Sequence, residues 1–93
     1  MNDTKEIQLE ADLCYNWGFG QYLSSFQNLV TALEKLGFKV KYQANKSSGG
    51  RQEVYLVNGS DKTLVYSKLE TGKFLDETNS KDVAEKIKGM VSL

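Results

Sequence analysis

Residues 7–44 read IQLEADLCYNWGFGQYLSSFQNLVTALEKLGFKVKYQA, and the hydrophobic period changes twice along them. Ile7, Leu9, Ala11 and Leu13 alternate with Gln8, Glu10 and Asp12, the two-residue period of a strand with one buried face. That strand ends at Cys14-Tyr15-Asn16-Trp17-Gly18-Phe19-Gly20, whose glycines interrupt regular structure. Tyr22, Leu23, Phe26, Leu29, Val30, Leu33 and Leu36 then recur at helical spacing and gather on one face. Gly37, just after Lys35, stops the helix. Phe38, Val40, Tyr42 and Ala44 alternate with Lys39, Lys41 and Gln43, giving a second strand. Strand, long helix, strand is a βαβ unit, and its strands are expected to run parallel with a right-handed crossover.

Further along, Asn45-Lys-Ser-Ser-Gly-Gly50 reads as a flexible loop. Glu53–Val57 and Thr63–Ser67 are strand-like and flank Asn58-Gly-Ser-Asp61. Asn-Gly between such runs signals a hairpin, because both residues tolerate positive φ. Residues 68–78 read as irregular apart from Phe74 and Leu75. Asn79 or Ser80 is placed to cap a last helix in which Val83, Ile87, Met90 and Val91 face inward. The order βαβββα predicts an α/β (α+β sandwich) fold, one mixed four-stranded sheet packed by two helices.

Ninety-three residues make a single domain, 1–93, with an ordered core expected over about 5–91. Twelve basic residues balance twelve acidic ones and are interleaved with them, so no polyanionic partner, nucleic acid included, is expected. Lys39/Lys41 and Lys81/Lys86/Lys88 read as solvated faces. One cysteine rules out an intrachain disulfide, and with no histidine the usual zinc-finger ligand sets are excluded too. A secreted chain of this size normally carries several bridges, which points to the cytoplasm. Neither a signal-peptide core nor a membrane-spanning run is expected. The sequons at Asn2, Asn45 and Asn58 read as chance.

Chemistry has one candidate place. Where the first strand of a βαβ unit hands over to its helix, unpaired N–H groups and a partial positive charge collect. Cys14, the only cysteine of the sequence, lies in that handover. A thiol aimed at the positive end has its thiolate favoured and becomes a better nucleophile near neutral pH. Against this stands the structural reading, since cysteine is among the most buried residue types and Cys14 can simply finish the strand after Leu13.

Cys14-Tyr15-Asn16-Trp17-Gly18-Phe19 resembles the redox loop of the selenoprotein W-like family of thioredoxin-like proteins, in which Cys-x-x-Cys or Cys-x-x-selenocysteine precedes Gly-Tyr/Phe and a long helix. Gly50-Arg-Gln-Glu53-Val54 is similar to that family's Gly-x-Phe-Glu-Val stretch, and Ser67-Lys68 with Gly72-Lys-Phe74 to its Ser-Lys-x-x-x-Gly-x-Phe stretch. The similarity spans roughly residues 5–91 and implies a thioredoxin-like βαβββα fold with Cys14 as the reactive thiol. The chain departs from the pattern at Trp17, which stands where the family has its second cysteine or selenocysteine. A dithiol cycle needs a second thiolate for release, and tryptophan supplies none. Cys14 is then limited to mixed disulfides with glutathione or a partner thiol, or to sulfenic acid, at most a monothiol activity with glutathione as co-substrate and no bound cofactor. The sequence also has no proline, whereas a cis-proline typically faces a thioredoxin redox loop.

The expected function is the first of two, the second its alternative. One is thiol redox chemistry at Cys14. The other is a non-catalytic protein-interaction module that uses the 14–20 loop, with Tyr15, Asn16, Trp17, Gly18 and Phe19 as recognition surface. Trp17 reads more readily as buried packing, the commoner place for a lone tryptophan in a small domain. Gly18-Phe-Gly20 lacks the third glycine of a dinucleotide fingerprint. Asp76-Glu77 reads as solvated charge, and Glu53 as an ion-pair partner of Arg51 or a lysine.

Overall fold

A computed structural model describes residues 5–15 and 18–91. The elements are β1 (Glu6–Cys14), α1 (Phe19–Lys35), β2 (Lys39–Ser47), β3 (Gln52–Asn58), β4 (Asp61–Ser67), α2 (Lys68–Thr71) and α3 (Glu77–Val91). They build one mixed sheet of four strands in the order β2-β1-β3-β4. β1 runs parallel to β2 and antiparallel to β3, which is antiparallel to β4. This order, with the long helices α1 and α3 packed on the sheet and against each other, is consistent with a thioredoxin-like α/β fold.

The alternation in β1 sets the two faces. Ile7, Leu9, Ala11 and Leu13 are buried, while Glu6 and Gln8 are exposed and Glu10 and Asp12 partly so. Both helices therefore cover a single face. Phe26, Leu29 and Leu33 from α1 meet Leu9, Leu13, Val54 and Ile87 in a core from which water is excluded. The other face carries polar pairs: Asn45 Nδ2 donates to Glu10 Oε2 at 2.7 Å and to Asp12 Oδ1 at 3.1 Å.

Those bonds explain a departure from the expected flexible loop over 45–50. They tie Asn45 to β1, and the Tyr15 N–H donates to the Ser47 carbonyl at 2.9 Å, so β2 continues to Ser47. Only residues 48–51 connect it to β3, turning through Gly49 and Gly50 at φ +76° and +71°. In the hairpin, Asn58 pairs with Asp61 as the closing rung, leaving Gly59-Ser60 as the loop. Gly59 alone has positive φ, +65°, the pattern of a II′ turn rather than one centred on Asn-Gly.

Helix ends are set by local bonds. Gly37 N–H donates to Glu34 O at 3.0 Å and Phe38 N–H to Leu33 O at 3.2 Å, a Schellman stop for α1. The start of α3 falls earlier than Asn79 or Ser80. Asp76 is the cap, its Oδ1 accepting from Asn79 N–H at 2.8 Å while Asn79 Oδ1 accepts from Asp76 N–H at 2.7 Å. Residues 68–78 also hold one helical turn that polarity hides. Ser67 Oγ caps α2 by accepting from Glu70 N–H, and Gly72 ends it at φ +73°.

Candidate functional site

Register brings Cys14, Ser47, Gln52 and Ser67 to one end of the sheet, where β1, β2 and β4 finish and β3 starts. α1 begins at the same end. Its N-cap is Gly18, in a left-handed conformation at φ 101°, ψ 76°, with no side-chain cap and no acidic residue in the first turn. Among the described residues, no capping side chain or first-turn carboxylate offsets the positive end of the helix.

Cys14 is 0% exposed and belongs to the core cluster. Its N–H donates to Arg51 O at 2.8 Å. Its thiol hydrogen-bonds the Tyr22 hydroxyl, and Tyr22 itself is 4% exposed. Burial pushes the Tyr22 phenol above its usual range, and the negative form of Cys14 and their hydrogen bond push it further the same way. Enclosure among core side chains keeps the sulfur from solvent at the start of α1.

Of the other expected site residues, Tyr15 is 54% exposed, Gly18 is exposed, and Phe19 is half-buried with Lys46 Nζ 6.0 Å from its ring centre. Asn16 and Trp17 lie outside the described residues.

The fold adds residues that spacing alone did not place at the site. Phe74 packs edge-on against Tyr22 with ring centres 4.9 Å apart. Lys68 Nζ sits 4.8 Å from the Phe74 ring centre and 5.8 Å from that of Tyr22, and donates to Gly50 O at 3.4 Å. A Cβ at Gly50 would stand in ordinary contact, 3.7 Å from Tyr22 Oη and 3.8 Å from Lys68 Nζ, so it is the φ of +71° rather than space that favours glycine there. Gln52 is wholly buried; its Nε2 donates to Tyr22 O at 3.2 Å and its Oε1 accepts from Leu75 N–H at 2.8 Å. It clamps α1 and the 72–76 segment beside Cys14.

The surface around this cluster is apolar and cationic. Tyr15, Leu69 and Phe74 are exposed by 54%, 54% and 41%. Lys46, Arg51, Lys68 and Lys73 stand at this end with Asp12, Glu53 and Glu70, and Arg51 and Glu53 pair at 2.9 Å as a structural ion pair. Among the described residues no group of three or more His, Cys, Asp or Glu side chains could hold a metal ion. Nor is any helix long and apolar enough to cross a membrane. Neither a family model, nor a curated protein, nor a solved structure matches the chain.

Proposed function

We propose that the chain is a non-catalytic protein-interaction module, which binds a partner polypeptide at the sheet end where β1 and β4 finish. The observation behind this reading is a contrast at one place. The Cys14 sulfur is enclosed, while Tyr15, Leu69 and Phe74 offer apolar surface to solvent beside it. Exposed apolar groups gathered near cations suit a partner segment that carries carboxylates around an apolar side chain. On this reading the chain is a selenoprotein W-like relative that kept the scaffold and lost the dithiol step, with Trp17 in place of the second thiol.

A second reading, monothiol redox chemistry, is favoured by the Cys14–Tyr22 hydrogen bond at the start of α1, where a hydroxyl stands ready to donate to a thiolate. In that reaction the Cys14 thiolate attacks glutathione disulfide or a partner disulfide, forms one S–S bond, and releases the other sulfur as a thiolate.

Partner capture by wild type, Cys14→Ser, Trp17→Ala, Leu69→Ala and Phe74→Ala separates the two. The module reading expects capture to survive loss of the thiol and to fail when Leu69 or Phe74 is truncated. Capture that fails only in Cys14→Ser, and is released by reductant, supports redox chemistry instead. Capture that is indifferent to every substitution rejects this end of the sheet as the binding surface.

A further inference from the structure

We propose that Asn58 is a site of spontaneous deamidation, and that its conversion loosens the β3–β4 hairpin. Asn58 is exposed and closes a two-residue hairpin opposite Asp61. In such a hairpin the closing pair makes the ladder bonds, and the N–H of the first loop residue lies outside the ladder. That residue is Gly59, which has no side chain to obstruct it, and a Cβ built there meets nothing within 4 Å.

The reaction needs only water and base. Once its proton is lost to base, the Gly59 backbone nitrogen attacks Asn58 Cγ. A C–N bond forms, the Cγ–Nδ2 bond breaks, and the side-chain amide leaves as ammonia, which gives a five-membered succinimide. Water then opens the ring at either carbonyl, leaving aspartate or isoaspartate. No atom changes oxidation state.

The other described asparagines are held away from this path. Asn45 Nδ2 donates to Glu10 and Asp12, Asn28 Nδ2 donates to Leu75 O, and Asn79 Nδ2 donates to Phe74 O at 2.9 Å. Each precedes a residue with a side chain, respectively Lys46, Leu29 and Ser80. Among the described residues the Asn58 side chain makes no hydrogen bond.

The product has a mechanical consequence. Either acid puts a carboxylate directly across from Asp61, and like charges on opposed strand positions repel. Isoaspartate also lengthens the backbone just before the loop, against the register that pairs Val57 with Lys62 and Leu56 with Thr63. β4 carries Val65 and Tyr66 into the core and leads directly into Lys68, so a weakened hairpin reaches the cationic surface described above.

The test is incubation of the whole protein in warm, mildly alkaline buffer, followed by peptide mapping with mass spectrometry and isoaspartate detection. The expected result is conversion at Asn58 ahead of Asn28, Asn45 and Asn79, with one negative charge gained and no such species from Asn58→Gln. Asn58→Asp is expected to melt below Asn58→Gln. Conversion at Asn58 no faster than at the other three overturns the site. Equal melting of Asn58→Asp and Asn58→Gln overturns its effect on the hairpin.

Discussion

Gln52→Leu is expected to destabilise the protein more than any other polar-to-apolar exchange on β3. Gln52 is 0% exposed, and its Oε1 is the acceptor of the Leu75 N–H at 2.8 Å, while Leu75 is itself 2% exposed. Leucine fills a similar volume but leaves that N–H buried without an acceptor, a loss of about 1–3 kcal/mol. The second bond, Nε2 to Tyr22 O at 3.2 Å, matters less, because that carbonyl lies in α1 and keeps its helical donor. Added apolar burial offsets part of the loss, and the expected net effect is about 2 kcal/mol. A domain of this size has a stability of about 5–15 kcal/mol, so a substantial fraction goes. At roughly 4–8 °C per kcal/mol the melting temperature falls by about 8–16 °C. Urea and thermal melts measure it, with amide exchange at Leu75 as the local readout and the exposed Gln43→Leu as control. A Gln52→Leu protein within about 0.5 kcal/mol of wild type refutes the clamp.

Tyr22 gives a pH prediction. Its folded pKa is raised, so the neutral phenol contributes stability that is fully present below the ordinary value of about 10 and is lost as pH climbs through the higher folded value. Melting temperature should drop in that alkaline range and drop less in Tyr22→Phe; identical profiles contradict the assignment. Tyr55, raised mainly by burial and then by Glu53 and Asp12, supplies a similar but separate contribution that Tyr55→Phe removes. Asp76→Ala should cost about 1 kcal/mol in a urea melt by uncapping α3. Ser80→Ala should be neutral or stabilising, because the Ser80 Oγ is buried without a hydrogen-bond partner among the described residues. A larger loss for Ser80→Ala than for Asp76→Ala returns the cap to Ser80.

The parts of the fold legible in the sequence are those written as period. The two-residue alternation through Leu13 and the helical spacing from Tyr22 to Leu36 each state which face is buried, and the structure buries those faces. What period does not carry is long-range polar bonding. Asn45 looks like the start of a loop until Glu10 and Asp12 of the neighbouring strand are placed beside it. No spacing in the sequence marks Gln52 as buried, and only the joint arrival of Tyr22 O and Leu75 N–H makes its burial tolerable. The same limit applies at the site. Sequence puts Cys14 at the strand–helix handover, but its exposure depends on Tyr22, one turn into α1, and on the partners that β4 and α2 deliver. Leu13 and Cys14 are both buried, so strand alternation fails at its last residue, where the chain turns from the sheet towards α1.

The central claim is that the Cys14 thiol is closed to reagents in the folded protein. The rate of iodoacetamide labelling in native buffer against that in urea, followed across pH, tests it most directly. If labelling requires an opening of about 3 kcal/mol or more, the native rate is at least roughly a hundredfold slower. A native rate equal to the unfolded one, rising through a midpoint below about 8.5, contradicts the account and makes Cys14 a working thiol.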